Sequence, residues 1–233
     1  MARASHPLEA VLGHVFADQS LLAEALTHSS HVSGARQPTY ERLEFLGDRV
    51  LGLVVAEMLL EHFPGEEEGA LARRYSALVM GETLARIGGG IGLSAHIIMS
   101  RAEDDAGGRN KPNLLADVLE AVIAALYLDG GLAAAAEFIK RHWRPLMNSA
   151  PTPPQDAKTA LQEWAQKEGK PLPDYEPVSR AGPDHSPLFT VRARVADVQP
   201  ETASGPTKRA AEQAAAKAVL VHAGVWRRGE HTE

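Results

Sequence analysis

Before residue 150, apolar residues recur three and four positions apart, which predicts helices almost throughout. Leu21, Leu22, Ala25 and Leu26 mark a short amphipathic helix. From Tyr40 to His62 the apolar positions 43, 46, 50, 53, 54 and 58 keep the same spacing, and Phe63-Pro64-Gly65 ends the segment. The next helix is expected to run unbroken from Glu68 to Ile87, with glycines 88–90 stopping it. "NLLADVLEAVIAALYLDGG" (113–131) predicts a strongly apolar helix, with Asn113 as its N-cap and Gly130-Gly131 at its end. "AAAAEFIKRHWRPL" (133–146) follows as another.

Three prolines at 151, 153 and 154 cannot continue a helix and favour an extended connection. Beyond them the texture changes. "KTALQEWAQKEG" (158–169) is a short helix with Ala160, Leu161, Trp164 and Ala165 on one side. "DYEPVSRAG" and "PLFTVRARV" are strand-like, and the second alternates Phe189, Val191, Ala193 and Val195 against Thr190, Arg192 and Arg194. "GPDHSP" between them is a turn, and "VQPETASG" holds a third short strand. "PTKRAAEQAAAKAVLVHAG" (206–224) is Ala-rich and helical, with Pro206 near its start and Gly224 at its end. The expected fold class is an all-α domain over residues 1–148, a linker over 149–155 and a small α+β domain (α-β-β-β-α) over 156–226. Residues 227–233 form a tail.

Composition changes this picture little. The 233 residues are 44% hydrophobic and 23% charged, as in a globular protein. There is no cysteine, which excludes disulfides and thiolate metal sites. No run of about 18 apolar residues suggests a membrane span. The N-terminus "MARASHPLEA" lacks the apolar stretch of a secretory signal, so a cytoplasmic location is expected. Net charge is −6, which by itself argues against a nucleic-acid partner. The sum hides an asymmetry: residues 1–150 hold 13 Lys/Arg against 19 Asp/Glu, and residues 151–233 hold 11 of each. An acidic region can still act on a polyanion when its carboxylates hold divalent metal.

Placement of the acids is therefore the informative feature. Glu44 and Asp48 are one helical turn apart, and Glu41 joins the same stripe three residues earlier. Asp117 and Glu120 repeat the device in "ADVLEAV". Both pairs sit among Leu, Val and Ala, where an ionised carboxylate is costly unless something pairs with it. Only Arg42 and Arg49 offer cations in the first segment, and none lies in the second. Four oxygen donors without a His or Cys pattern suit Mg²⁺ or Mn²⁺ and disfavour Zn²⁺. The same spacing also describes a solvated helix face, and spacing alone does not bring two helices together. Neither of two further patterns makes a site: "GGGIG" (88–92) has no P-loop Lys near it, and His28 and His31 have no third ligand.

The stretch "YERLEFLGDRVL" (40–51) resembles the signature of ribonuclease III, the double-stranded-RNA endonuclease, closely so over ERLEFLGDR. "NLLADVLEAVIAALYLDGG" is similar to the family's second acidic helix, and "ALTHSS" (25–30) to its N-terminal motif. The region after the prolines resembles the family's double-stranded-RNA-binding domain. The resemblance implies that Glu44, Asp48, Asp117 and Glu120 form a catalytic Mg²⁺ site, with Mn²⁺ as a substitute. It implies auxiliary roles for Glu41 and for Glu68, the third of the run Glu66-Glu67-Glu68. It makes Phe45 the aromatic that packs into the partner of a homodimer. The expected reaction is hydrolysis of duplex RNA to 5′-phosphate and 3′-hydroxyl ends, in rRNA precursor processing and in mRNA processing and decay.

In the second domain the resemblance assigns three RNA-binding surfaces: Thr159, Gln162 and Glu163 on the first helix, Pro183, Asp184 and His185 between strands, and Lys208 and Arg209 at the last helix. Lys208 and Arg209 have a physical rationale of their own. They follow Pro206-Thr207 at a helix start, where two cations oppose the dipole unless an anion binds there. Many such domains carry a further Lys where this chain has Glu212, so a weakened phosphate grip is expected. Two rival readings follow from the residues: a protein that holds duplex RNA without cutting it, and a metal-dependent phosphohydrolase of small nucleotides.

Overall fold

A computed structural model of the chain describes residues 6–31, 38–149, 156–183 and 186–227. The chain divides into two compact units, Met1–Pro153 and Pro154–Glu233.

The first unit is helical. Short helices α1 (Leu8–Leu12) and α2 (Gln19–Ala25) lead to α3 (Glu41–His62), α4 (Glu68–Val79), α5 (Gly81–Gly90), the short α6 (Arg101–Asp105) and the long α7 (Pro112–Ser149). The core is the apolar centre of α7, Val118 to Leu126, packed against Val50, Leu51, Val54, Val55, Met58 and Leu59 of α3 and Leu84 and Ile87 of α5. Leu53, assigned by spacing to the inward stripe, is instead 60% exposed. By length and composition α7 also qualifies as a membrane span. Its apolar positions are those of a core helix, and it carries Asp117 and Glu120 within them.

Three sequence expectations need correction. The helix expected over 68–87 is broken at Met80, whose backbone is extended (φ −68°, ψ 148°). Two bonds, one long-range and one local, take up carbonyls that a continuous helix would have used. The buried Trp143 indole donates to Leu78 O at 2.9 Å, and the Thr83 hydroxyl donates to Ala77 O at 2.9 Å. The following glycines do not stop α5, which continues through Gly90. The acidic helix begins at Pro112, so Asn113 lies inside its first turn and is not the cap; proline is pre-organised for that first position. The expected boundary at 130–131 is present as a break inside α7, where Gly131 takes φ 73°.

The second unit runs α8 (Ala157–Lys167), β1 (Asp174–Ala181), β2 (Leu188–Arg194), β3 (Glu201–Gly205) and α9 (Lys208–His222). The strands form an antiparallel sheet in the order β1-β2-β3. Ala193 and Val195 from the β2 segment meet Ala160, Leu161 and Ala165 of α8 and Ala215, Ala216, Val219 and Leu220 of α9 in one core. Trp164 packs against that core, as its position on the apolar side predicts. Asp156 caps α8 by accepting from Thr159 N at 2.9 Å, and Thr207 caps α9 by accepting from Ala210 N at 3.1 Å.

At the crossing of α3 and α7 the two helices pack backbone to backbone. A Cβ placed on Gly47 would lie 1.8 Å from the carbonyl oxygen of Glu120, so backbone meets backbone there. Gly52, on the same helix, would place a Cβ 2.5 Å from the Tyr75 hydroxyl, the movable end of a side chain. Gly47→Ala should therefore destabilise the protein by about 3 kcal/mol or more, because the two helices must part. Gly52→Ala should cost clearly less, since Tyr75 can yield. Urea unfolding midpoints of the two variants check the ranking.

Candidate metal centre and nucleic-acid interface

Gly47 lies between Glu44 and Asp48, and its contact is the backbone of Glu120. The close crossing therefore carries both acidic pairs to one place. Their mutual influence is visible in their ionisation. Burial, reinforced by the carboxylates of Asp48, Glu44 and Asp117, pushes the Glu120 carboxyl up to about 8; nearby Arg49 works the other way. Glu44 is raised by burial, then by Asp117, Glu41 and Asp48. Asp117 is raised by burial. The four acids expected to act together thus share one electrostatic neighbourhood. Concentrated negative charge in a poorly solvated place is what a divalent cation relieves.

The side chains are not pre-assembled into a cage. Among the described residues, no three His, Asp or Glu groups are gathered closely enough to hold an ion as they stand. One cause is visible. Asp48 Oδ2 accepts from Arg49 at 2.7 Å, and the same guanidinium donates to Phe45 O at 3.1 Å and lies 4.1 Å from the centre of the Phe45 ring. Mutual repulsion among like charges is another. The donor set still fits a hard divalent ion, since every candidate atom is a carboxylate oxygen.

The auxiliary acids behave differently from each other. Glu41 is raised by burial, but hydrogen bonds from Thr39, its own backbone N–H and Ser29, together with the charge of His28, outweigh that and hold it low. It adds its charge to Glu44. Glu68 stands exposed in the first turn of α4 and takes part in none of these shifts. Its neighbour Glu66 is structural: it accepts two hydrogen bonds, at 2.7 and 2.8 Å, from the buried Arg74, whose guanidinium stacks 3.6 Å from the Phe63 ring. Phe45 is 64% exposed, so it is not part of the core of this protomer. Leu53 and Leu60 (64%) extend the exposed apolar surface along α3.

Three residues beside the acids lie within the stretch 40–51, but sequence reasoning gives them no role in the site. Tyr40 is buried, and its hydroxyl is pushed up to about 12 by burial and then by Asp117, Glu41 and Glu44. Gly47 is the contact point, and Arg49 is the cation on Asp48. Of these, Gly47 leaves a physical trace in the sequence, as Gly52 does: a glycine inside a strong helix signals close packing.

In the second unit, Thr159, Gln162 and Glu163 are all on α8, and Lys208 and Arg209 are exposed at the start of α9. Thr159, Gln162 and Glu163 are all exposed, and the Thr159 hydroxyl is bonded to Asp156 at 3.1 Å. Pro183 is exposed before β2, while Asp184 and His185 lie outside the described residues.

The raised acids set a pH dependence. A carboxyl whose folded pKa exceeds its unfolded value favours the folded state below the unfolded pKa, and that contribution is lost as pH rises through the folded one. For Glu120 the window runs from 4.5 to about 8. In metal-free buffer, Glu120→Gln should raise the melting temperature relative to the native chain at the top of that window. The gain should shrink toward its acid end, because Gln carries no charge to bury. Thermal unfolding across the window with a chelator present measures it.

Comparison with known proteins agrees with this architecture. Residues 18–146 match the Ribonuclease-III-like family, and residues 157–221 match the double-stranded RNA binding motif. The chain is 52% identical to Ribonuclease 3 of Mesorhizobium japonicum, over 92% of this chain and 97% of that protein. It is 50% identical to Ribonuclease 3 of Cereibacter sphaeroides, over 91% of this chain and 92% of that one. Among solved structures, it resembles the nuclease domain of ribonuclease III from Campylobacter jejuni, in a study of flexibility in a region involved in dimer formation. There the TM-score is 0.56 and identity 41%, over 59% of this chain and 94% of that one. With matches spanning both units, the chain belongs to the ribonuclease III family of endoribonucleases, with a helical nuclease domain followed by a double-stranded-RNA-binding domain.

Proposed function

We propose that the protein hydrolyses phosphodiester bonds in duplex RNA with Mg²⁺, and that Glu44, Asp48, Asp117 and Glu120 hold the ion. The observation that carries this reading is the backbone contact of Gly47 with Glu120, which gathers the four acids and leaves the Glu120 carboxyl buried beside three others, pushed up to about 8. Such a group is a poor structural element and a good ligand, because binding a cation stabilises the ionised form. A divalent ion held there supplies positive charge against the scissile phosphate and a water of lowered pKa. The residues contribute the rest. As a ligand Glu120 would give up the proton it retains near neutral pH, so metal uptake would release protons. Asp48 would have to leave Arg49 to serve as a ligand. Tyr40, uncharged at working pH, bounds the acids without adding to their charge. Glu41 and Glu68 are assigned to positioning substrate; Glu41 has the better support, since it couples to Glu44.

The products are 5′-phosphate and 3′-hydroxyl ends, and the roles are rRNA precursor processing and mRNA processing and decay in the cytoplasm. Residues 1–148 form the catalytic domain, 149–155 the linker, 156–226 the duplex-binding domain and 227–233 the tail. The active form is a homodimer through α3. The support is the exposure of Phe45, Leu53 and Leu60, which a lone protomer leaves in water. Duplex RNA is held by Thr159, Gln162 and Glu163, by Pro183, Asp184 and His185, and by Lys208 and Arg209 at the start of α9.

Glu120→Gln should lower cleavage of a duplex RNA by about a thousandfold in Mg²⁺ while leaving duplex affinity intact. Gel-based cleavage and filter binding of one substrate separate the two. Binding without cleavage by the native chain in Mg²⁺ would refute catalysis. Activity on small nucleotides that is indifferent to duplex RNA would refute the substrate. Lys208→Ala with Arg209→Ala should weaken binding and reduce the slope of log Kd against log salt by about one for each phosphate no longer neutralised.

A further inference from the structure

The residue four positions after Lys208 is Glu212, an acid where the family resemblance leads one to expect a third phosphate-gripping cation. Its charge does not face outward. The Glu212 side chain is 14% exposed, and Oε2 lies 2.5 Å from Lys158 Nζ in the first turn of α8. Its other oxygen, Oε1, is 3.9 Å from Lys208 Nζ. The two helices are tied again one residue on. The Lys158 backbone N–H donates to Gln213 Oε1 at 3.2 Å, and the Gln213 amide donates to Asp156, the residue that caps α8. Lys158 Nζ also sits 4.7 Å from the centre of the Tyr175 ring on β1. One carboxylate thus joins α8, α9 and, through Lys158, the sheet.

We infer that Glu212 is a positioning residue for duplex binding: its bond to Lys158 sets the spacing between the RNA-facing side of α8 and the cationic start of α9. The inference rests on the RNA-contact reading proposed above. Duplex RNA is recognised by shape, across successive minor grooves and the phosphates between them. Two contacts on separate helices therefore work only at the separation that the duplex dictates. Thr159, Gln162 and Glu163 lie on one of these helices, and Lys208 and Arg209 on the other. A lysine at 212 would meet Lys158 in a largely enclosed place and push α8 and α9 apart. The added cation would then cost affinity, where a simple count of charges predicts a gain.

The test uses the full chain with a chelator, so that nothing is cut, and a blunt duplex RNA about twice the ~16 base pairs that one such domain spans. Glu212→Lys should bind about tenfold more weakly than the native chain. Combining it with Lys158→Glu, which restores the pair in reverse, should recover most of the affinity with the native salt slope. Tighter binding by Glu212→Lys, with a steeper salt slope, would overturn the inference and make Glu212 a simple repelling acid. So would a double variant that folds with the native unfolding midpoint yet binds as weakly as the single one. Should Glu212→Lys fail to fold, Glu212→Gln decides: weaker binding supports the assignment, and native or tighter binding removes it. Lys208→Ala with Arg209→Ala is measured alongside. Unchanged affinity in that variant brings down the RNA-contact reading itself, and the role of Glu212 with it, whatever the charge swap does.

Discussion

The place where Gly47 touches the backbone of Glu120 governs the nuclease domain. Hydrogen is the only side chain that lets α3 and α7 come this close. Because Glu44 and Asp48 flank Gly47, and Asp117 lies one turn before Glu120, that closeness obliges four carboxylates to share a neighbourhood. Apolar packing of Val50, Val54, Val118 and Val122 around the crossing supplies the energy that holds the acids together against their repulsion.

This arrangement trades stability for chemistry. A carboxyl held near 8 is a standing cost to the folded protein at neutral pH, and the cation of the proposed site would relieve it. Arg49 partly offsets that cost in the meantime by engaging Asp48. A surface pair of this kind contributes little to stability. Its weakness would leave Asp48 free to change partners in the proposed site. Arg74 and Glu66, which have no such exchange to make, are joined by two hydrogen bonds around a buried guanidinium.

Much of the fold was legible from periodicity. The acidic helices, the strands of the second domain, and the core role of Trp164 follow from spacing and turn residues. The four acids were legible as groups that need a partner, because ionised carboxylates in apolar helices are costly alone, and their shared neighbourhood came only with the fold. What escaped was set by contacts distant in sequence. Nothing in the stretch 68–87 announces a break at Met80, since the groups that satisfy the freed carbonyls include an indole 65 positions beyond Leu78. Leu53 has the spacing of a core residue, and only the finished packing shows that α3 keeps a second apolar side. Glu212 reads as a missing cation because the sequence does not show that Lys158 lies opposite. The Arg49 contact is local, but which way its side chain turns depends on Phe45 being outside the core.

The bond from Trp143 to Leu78 also limits how the protein can be dissected. The outer half of α7 looks like a convenient exit from the nuclease fold. Yet Phe138, Ile139, Trp143 and Met147 are all buried, and the indole closes the end of a helix far earlier in the chain. Ending the polypeptide anywhere before Met147 would strip a wall from the core, and ending it before Trp143 would also orphan a carbonyl. An experimenter who wants the nuclease portion by itself has only the last few positions before the prolines in which to cut.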